Sequence, residues 1–447
     1  MAKFDDHPTV RRLREQQSEQ SDISSPTSLD RDWLRTLCLD KGADDVGFVS
    51  IDQPDIADQR AVLLKAFPHT KTLISFVCRM NRDNVQSPAR SIANVEFHHT
   101  GEAINNIARK VVRALEDQGV RAINPAMGFP MEAQQFPDKC WVISHKPVAV
   151  AAGLGHMGIH RNVIHPKFGN FILLGTVLMD AEVTHYNQPI DYNPCVECKL
   201  CVAACPVGAI GANGSFNFSA CYTHNYREFL GGFGDWAKTV AESKSAKDYE
   251  RKVGESDSAA LWQSLSFGAN YKAAYCLASC PAGEDVMMPF LKNRKRFIND
   301  VVKPLQDKSE TVYVIPGSDA ETHVARRFPH KQAKQVRNSL VPKSINGFVF
   351  GLSLVFQPNQ AKGLNAVYQF TFTGEEPRQI TVVVRNQMCD VHDGHVGQPN
   401  LLITADSQTW IKFLGKESNL AWALLRRKIR LKGDPRLLLK FAKCFPT

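Results

Sequence analysis

Apolar runs and helical apolar spacing predict an ordered α/β segment in the first half of the chain. The runs at 72–78 and 171–179 are continuous and apolar, as is typical of buried strands. One amphipathic helix is predicted by apolar residues at helical spacing that end before Gly119, namely Ile104, Ile107, Ala108, Val111 and Leu115. A shorter helix is predicted between Ser28, as its cap, and Gly42. These elements assign residues 28–190 to one α/β domain.

Polar and charged segments separate this domain from the rest of the chain. Residues 1–27 are rich in Ser and Gln and are expected to be disordered. Residues 231–270 are charged and rich in Gly and Ser, which indicates an insertion within a module that spans 191–300. Residues 301–344 contain a basic stretch and are interpreted as a linker.

The pattern changes again after residue 344. Strand-like runs are predicted at 348–356, 366–373 and 380–384, and two amphipathic helical stretches follow within 406–445. Residues 345–447 are therefore predicted to form a small α+β domain.

Composition and charge limit the classes of function. The 447 residues, of which 43% are hydrophobic, suit about three domains, and no apolar stretch is long enough to span a membrane. Arg11 and Arg12 are not followed by a hydrophobic region, and the cysteines do not form a disulfide pattern, so a cytoplasmic location is expected. The net charge of +9 is local and lacks interleaved aromatics, which argues against nucleic acid and leaves anionic lipid or an acidic redox partner open.

A cysteine motif carries the strongest chemical signal. Cys195, Cys198, Cys201 and Cys205, followed by Pro206, form the C-x2-C-x2-C-x3-C-P run of ferredoxin-type iron–sulfur proteins. In two-cluster proteins the fourth cysteine of this run binds the other cluster. We therefore predict a first 4Fe-4S cluster on Cys195, Cys198, Cys201 and Cys280, since Cys280 also precedes a proline. A zinc site would instead need two well-separated cysteine pairs.

The second predicted cluster has one ligand fewer. Cys205, Cys221 and Cys276 are assigned to it, but Ala273 occupies the position where a fourth cysteine is expected. The site is either a three-cysteine, 3Fe-4S type of cluster, or one completed by a non-cysteine side chain or a distant cysteine such as Cys140.

Two other motifs are interpreted as coincidental. Gly153 to Gly158 matches G-x-G-x-x-G, but a dinucleotide motif must open a long helix, and His165-Pro166 interrupts the chain soon afterwards. The sequence 390–395, DVHDGH, is similar to a corrinoid-binding loop but is interpreted as a hairpin turn.

The segment 147–206 as a whole resembles reductive dehalogenases and epoxyqueuosine reductases. The resemblance rests on PVAVAAGLGHMG at 147–158, HPKFG at 165–169, the strand ending at Asp180 and the cysteine motif. It implies a base-off cobalamin beside two 4Fe-4S clusters, and a low-potential electron donor of the ferredoxin or flavodoxin type. The positions implied for cofactor contacts are Gly153, Gly155, His156, Gly158, His160, Arg161, His165, Pro166 and Gly169. Each histidine could equally be a satisfied structural residue.

Two departures from this family's pattern concern catalysis. The second cysteine motif is shortened, and the aspartate that epoxyqueuosine reductases use as a proton donor has no counterpart, since ISHKP stands at 143–147. The catalytic residue is therefore unknown, and the resemblance gives little support to a tRNA-modifying role.

The C-terminal part resembles the sterol-carrier-protein lipid-binding fold. The matching segments are LITADSQTW at 402–410, FLGK at 413–416 and IRLKGD at 429–434. The resemblance implies a tunnel for a lipid-like molecule, and the residues expected to line it are Trp410, Phe413, Leu420 and Leu424. The alternative is a closed core in a domain that only docks partners.

These features predict an iron–sulfur oxidoreductase that passes electrons through two clusters to cobalamin, for reductive chemistry on a small or lipid-like substrate. The alternative is a non-catalytic electron-transfer protein that docks on a partner enzyme through its C-terminal domain. The predicted fold is an α/β reductase domain with an embedded ferredoxin-like two-cluster module, followed by a small α+β domain.

Overall fold

The computed structural model describes residues 2–19, 26–128 and 142–446. Its α-helices are α1 (Ala2–Asp5), α2 (Pro8–Glu19), α3 (Arg31–Asp40), α4 (Ala57–Ala66), α5 (Arg82–Gln86), α6 (Arg90–Glu116), α7 (His145–Ala151), α8 (Leu200–Ala204), α9 (Phe218–Asn225), α10 (Leu230–Ala241), α11 (Ala246–Lys252), α12 (Glu255–Phe267), α13 (Tyr275–Ala278), α14 (Glu284–Lys292), α15 (Arg294–Phe297), α16 (Lys303–Asp307), α17 (Asp319–Arg327), α18 (Ile345–Val355), α19 (Ser407–Leu414), α20 (Leu420–Leu425) and α21 (Arg436–Cys444). No helix in these ranges combines the length and the apolar character needed to cross a membrane.

The β-strands are mostly short outside two sheets. They are β1 (Ser28–Leu29), β2 (Asp45–Ser50), β3 (Thr72–Arg79), β4 (Ala122–Ile123), β5 (His156–Met157), β6 (Val163–Ile164), β7 (Ile172–Met179), β8 (Glu182–Val183), β9 (Thr311–Val314), β10 (Gln332–Gln335), β11 (Ala366–Thr373), β12 (Arg378–Arg385), β13 (Met388–Asp393), β14 (Leu401–Asp406) and β15 (Ile429–Gly433).

The chain divides into two compact units. The first contains Met1–Arg79, His99–His156 and Ile172–Tyr192, and the second contains Met80–His98, Met157–Phe171 and Asn193–Thr447. The second unit therefore includes the cysteine motifs and the whole C-terminal domain.

The first unit is built on a four-stranded antiparallel sheet in the order β2-β3-β7-β4. The strands predicted at 72–78 and 171–179 are confirmed as β3 and β7, and both are buried along nearly their full length. The helical face predicted from 104 to 115 lies on α6 and packs into the same core as Leu34 of α3. Asp30, not Ser28, caps α3, because Ser28 and Leu29 pair with β8 instead.

The segment interpreted as a basic linker is ordered, so that prediction was wrong. β9 and β10 form a parallel pair, with α17 between them in sequence. Val312 and Val314 of β9 are fully buried in one core with Val324 of α17 and with Cys201 and Cys205. The apolar residues of this segment therefore complete the cysteine-bearing module, while most of the basic residues remain near its surface.

The C-terminal domain has a five-stranded sheet in the order β13-β12-β11-β14-β15. The strands predicted at 366–373 and 380–384 are confirmed, but the run 348–356 is not a strand. It lies in α18, which Ser344 caps by accepting a hydrogen bond from the Gly347 amide at 2.9 Å. The two predicted helical stretches of 406–445 are three helices, with β15 between α20 and α21.

Two further expectations were wrong in detail. Residues 2–5 and 8–19, expected to be disordered, form α1 and α2, and Pro8 at the first position of α2 is a favourable helix start. The hairpin turn lies at Asn386 and Gln387, which both have positive φ angles, and residues 388–393 form β13. DVHDGH therefore begins in a strand and ends in the loop after it.

Candidate metal centre

The first cysteine motif folds as a tight loop that leads into a short helix. Glu197 and Lys199 have positive φ angles of 47° and 60°, which reverse the chain direction just before α8. Cys195 and Cys198 precede this helix, Cys201 lies within it, and Cys205 ends it. The loop brings the first three thiols toward one side, as the spacing predicts.

The structure brings four of the predicted ligands to one small cavity. Cys195, Cys198 and Cys201 line it together with Cys280, although Cys280 is far away in sequence. His160 and Pro281 are also part of its lining. In the described parts of the chain, no three His, Cys, Asp or Glu side chains converge closely enough to hold a single metal ion. The thiols surround a space instead.

Burial and mutual proximity govern the acidity of these thiols. Burial, with a smaller contribution from the neighbouring thiols of Cys276, Cys198 and Cys195, raises the pKa of Cys201 to about 12. Burial also raises the pKa values of Cys198 and Cys280. Thiolates gathered in this way need a compensating positive charge, which iron would supply.

The remaining three predicted ligands share an apolar core with Cys201. Cys205, Cys221 and Cys276 pack against one apolar core. Burial raises the pKa of Cys205, but backbone N–H groups of residues 207–210 point at its sulfur and oppose that rise. The Ala209 N–H donates to Cys205 Sγ at 3.3 Å, and the Asn162 side-chain amide lies 3.8 Å from Cys276 Sγ. Donors of this kind stabilise a thiolate.

Ala273 is buried and its backbone is fixed beside the helix that carries Cys221. Asn225, one turn beyond Cys221 on α9, accepts hydrogen bonds from the amides of Ala273 and Ala274, both at 3.0 Å. No thiol is available at that position. Cys140, one suggested replacement, lies outside the described residues.

His224 is the histidine nearest in sequence to Cys221, but its hydrogen bonding does not suit an iron ligand. Burial lowers its pKa to about 4, so the ring is neutral. Its Nδ1 accepts the Tyr313 N–H at 3.3 Å, and Nε2 therefore carries the proton. Within the described residues Nε2 has no hydrogen-bond partner, but in this tautomer it is a donor.

Arg90 provides a test of whether this region suits an anionic group. The residue is buried, and its Nη1 donates to the Val85 and Ser87 carbonyls at 2.9 and 3.0 Å. Its Nε and Nη2 have no hydrogen-bond partner in the described residues, and the guanidinium lies 5.4 Å from the centroid of the Tyr275 ring. Burial lowers the pKa of Arg90, whereas Tyr275, Glu310 and Cys276 raise it. Two buried cationic donors near Cys276 suit the sulfur atoms of an iron–sulfur cluster.

The predicted cofactor loop is divided between the two units, and each part has structural contacts of its own. In the first unit, Gly153 has a φ angle of 70°, and a Cβ there would lie 2.6 Å from the Gln188 carbonyl oxygen. Gly155 follows it, and His156 is partly exposed. These contacts explain the glycine at 153 without a cofactor.

In the second unit the two buried histidines of the loop have local partners. His160 Nδ1 accepts from the Asn162 amide at 3.1 Å, and its Nε2 lies 3.2 Å from the Asn170 side-chain amide. His165 accepts from the Lys167 and Phe168 amides and stacks on the Phe168 ring. Such contacts are typical of structural histidines. Gly158 and Pro166 lie in the same part of the loop, and Arg161 is exposed with a φ angle of 63°.

The four residues predicted to line a lipid tunnel all lie in the C-terminal core. Trp410 is fully buried, with ring contacts to Phe348, Phe370, Phe372 and Phe413. Phe413, Leu420 and Leu424 are partly buried against the same core. Among the described residues Trp410 Nε1 has no hydrogen-bond partner, which is a polar exception in an apolar interior.

Two family models match segments of the chain. The 4Fe-4S binding domain matches residues 189–211, and the SCP-2 sterol transfer family matches residues 356–446. Each match covers less than a quarter of the chain, so these segments are similar to a 4Fe-4S binding domain and to an SCP-2 domain. The cysteine-motif segment and the C-terminal domain are thus matched by two separate family models.

Among curated proteins, the chain is similar to epoxyqueuosine reductases. It is 36% identical to the one from Staphylococcus aureus over 80 residues, which cover 18% of this chain and 20% of that protein. It is 32% identical to the one from Cellulophaga algicola over 108 residues, covering 22% and 32% respectively. These matches confirm the resemblance predicted from the sequence. The chain spans no more than about a third of the length of either relative.

The chain is also similar to solved structures of an epoxyqueuosine reductase, a reductive dehalogenase and a sterol carrier protein. Epoxyqueuosine reductase from Streptococcus thermophilus matches with 15% identity and a TM-score of 0.35, covering 61% of this chain and 75% of that one. A catabolic reductive dehalogenase matches with 14% identity and a TM-score of 0.37, covering 66% and 35%. A palmitated sterol carrier protein from Aedes aegypti matches with 25% identity and a TM-score of 0.20, covering 23% and 91%.

Replacing Cys198 with Ser should remove about half of the bound iron, because it takes one thiolate from one of the two predicted clusters. The measurement is iron and acid-labile sulfide per chain after anaerobic purification. Cys389→Ser is the matched control, since Cys389 is a partly buried cysteine of the C-terminal domain. Equal iron in both variants would contradict the assignment of Cys198.

Replacing Ala273 with Cys should complete the predicted second cluster with a fourth thiolate, because the backbone of residue 273 is hydrogen-bonded to Asn225 of α9, the helix that carries Cys221. In wild type, electron paramagnetic resonance after mild oxidation should show a 3Fe-4S signal or a labile fourth iron, and the variant should lose it. Two fully thiolate-ligated cubanes in wild type would show that another cysteine supplies the ligand.

Proposed function

We propose that this protein is an iron–sulfur reductase that passes electrons through two clusters to a base-off cobalamin. The observation that carries the proposal is the cavity lined by Cys195, Cys198, Cys201 and Cys280. Four thiols from two distant segments that line one cavity are the arrangement that binds an iron–sulfur cluster. The similarity to epoxyqueuosine reductases supports a reductive role.

The residues present indicate how each cluster would be held. Cys195, Cys198, Cys201 and Cys280 would bind the first cluster, and Cys205, Cys221 and Cys276 the second. Clusters of this type supply single-electron transfer. Arg90 would donate hydrogen bonds at the second cluster, and the amides of 207–210 would stabilise the Cys205 thiolate. A ferredoxin or flavodoxin type of donor would deliver the electrons.

Cobalamin is the cofactor that distinguishes this proposal from a pure electron carrier. No D-x-H-x-x-G motif opens a helix in the sequence, so no histidine is offered beneath the cobalt from such a motif. The contacts proposed on the first unit are Gly155 and His156. The substrate would be small or lipid-like, and the SCP-2 domain would bind or present it.

Anaerobic protein reconstituted with hydroxocobalamin should retain the corrinoid through gel filtration and show a base-off absorption spectrum. Gly155→Val should reduce retention, because a side chain there would hold the corrin away from the backbone. Gly351→Ala is a suitable control, since nothing lies within 4 Å of a Cβ at that position. If iron is present but no corrinoid is retained, the electron-transfer alternative replaces this proposal.

The SCP-2 domain should bind an apolar probe within the intact protein. We expect a fluorescent fatty acid to bind with micromolar affinity, on the order of −8 kcal/mol. Leu424→Trp should weaken binding by filling space beside the core, whereas Leu439→Trp, at an exposed position of the same domain, should not. Iron content should be equal in both variants. A domain that binds no apolar probe would have docking as its supported role.

A further inference from the structure

Helix α20 presents two large apolar side chains to solvent. Ala423 is buried, and Leu420 and Leu424 pack against the domain core. Trp422 and Leu425 are three residues apart and therefore lie on a common face. Their exposed fractions are 59% and 74%. Burial within this domain covers one side of the helix and leaves these two side chains mostly exposed.

The chain that follows this face is strongly basic. Residues 420–433 contain Arg426, Arg427, Lys428, Arg430 and Lys432 and no acidic residue. All five cations are exposed, and none of them forms an ion pair within the part of the chain that the structure describes. Arg426 lies over the Trp422 ring at 5.1 Å, which joins the apolar face to the basic one. The cations at 430 and 432 lie on β15, an edge strand of the sheet.

We propose that this surface docks the protein on membranes that contain anionic phospholipids. The basic–aromatic patch consists of Trp422, Leu425, Arg426, Arg427, Lys428, Arg430 and Lys432. Exposed Trp and Leu side chains can enter the boundary between headgroups and acyl chains, while Lys and Arg attract anionic headgroups. The patch is charge-complementary to such a surface and has the apolar residues to enter it. Binding is peripheral.

A membrane explains more of the patch than the other polyanions do. RNA or an acidic protein would pair with the five cations, but single-stranded nucleic acid is usually held by several stacking aromatics, and this patch has one. Leu425 offers neither stacking nor hydrogen bonds. A bilayer interface accommodates the cations, Trp422 and Leu425 together. The proposal goes beyond the reductase function and does not depend on it.

Co-sedimentation of the full chain with lipid vesicles tests the proposal. The protein should bind vesicles of phosphatidylcholine mixed with phosphatidylglycerol, should not bind phosphatidylcholine alone, and should bind less at high salt. The variant Arg426→Glu/Arg427→Glu should lose about tenfold or more in affinity, and Trp422→Ser/Leu425→Ser should also weaken binding clearly. These positions are exposed, so circular dichroism should be unchanged.

Helix α12 supplies a matched control. Trp262 and Leu265 have the same residue types and spacing and are 61% and 65% exposed, but Glu255–Phe267 contains no Lys or Arg. The variant Trp262→Ser/Leu265→Ser should bind anionic vesicles as well as wild type does. Equal loss in the two double-serine variants would show general apolar adhesion and overturn the proposal.

Competition with single-stranded RNA tests whether the patch binds nucleic acid in preference to a membrane. Vesicle binding that persists at RNA concentrations comparable to those of lipid supports the membrane assignment. Failure of wild type to bind anionic vesicles, or tight RNA binding that requires Arg426 and Arg427 and displaces vesicles, would overturn it. Binding to phosphatidylcholine alone with the same affinity would equally contradict a role for the cations.

Discussion

The gathering of thiols from distant segments is the constraint on which the second unit depends. Cys201 and Cys280 are buried, their pKa values are raised by that burial, and each lies near further thiols. Four thiolates in so small a space would repel one another strongly without cations between them. Metal ions relieve both costs at once, because they neutralise the sulfur charges and replace the lost hydration.

The loop at 165–169 has its clearest physical role in holding the Cys280 segment. The amides of Glu284 and Asp285 donate to the carbonyls of Pro166 and Lys167 at 2.9 and 3.0 Å. Gly169 approaches this segment so closely that a Cβ would lie 2.0 Å from the Ala282 carbonyl oxygen. The glycine is therefore required by contact between two backbone segments. The loop at 165–169 and the segment that follows Cys280-Pro281 therefore hold each other in place.

The sequence was sufficient for features set by spacing and insufficient for those set by tertiary contact. Cysteine spacing predicted that Cys195, Cys198 and Cys201 lie together, and all three line one cavity, since ligand geometry leaves little freedom. The run at 348–356 was mistaken for a strand because a short, mostly apolar segment has no clear periodicity, although the Ser344 cap was a usable signal. Arg90 was missed altogether. From the sequence, a basic residue at the start of an amphipathic helix is expected to be exposed to solvent. Only the structure shows that the Arg90 guanidinium is buried.

The segment first interpreted as a linker explains how the second group of thiols is positioned. Lys331 is buried and donates to Glu310 at 2.8 Å, and Glu310 accepts the Tyr275 hydroxyl at 2.6 Å. Tyr275 begins α13 and immediately precedes Cys276, so this network fixes the helix that presents the thiol. Glu310 balances Lys331, whereas the Arg90 guanidinium retains two unsatisfied donors near the same cysteine. The two free Arg90 donors therefore suit a negatively charged group beside Cys276. Ala273 contributes no thiolate to this group, so fewer of its negative charges come from protein side chains.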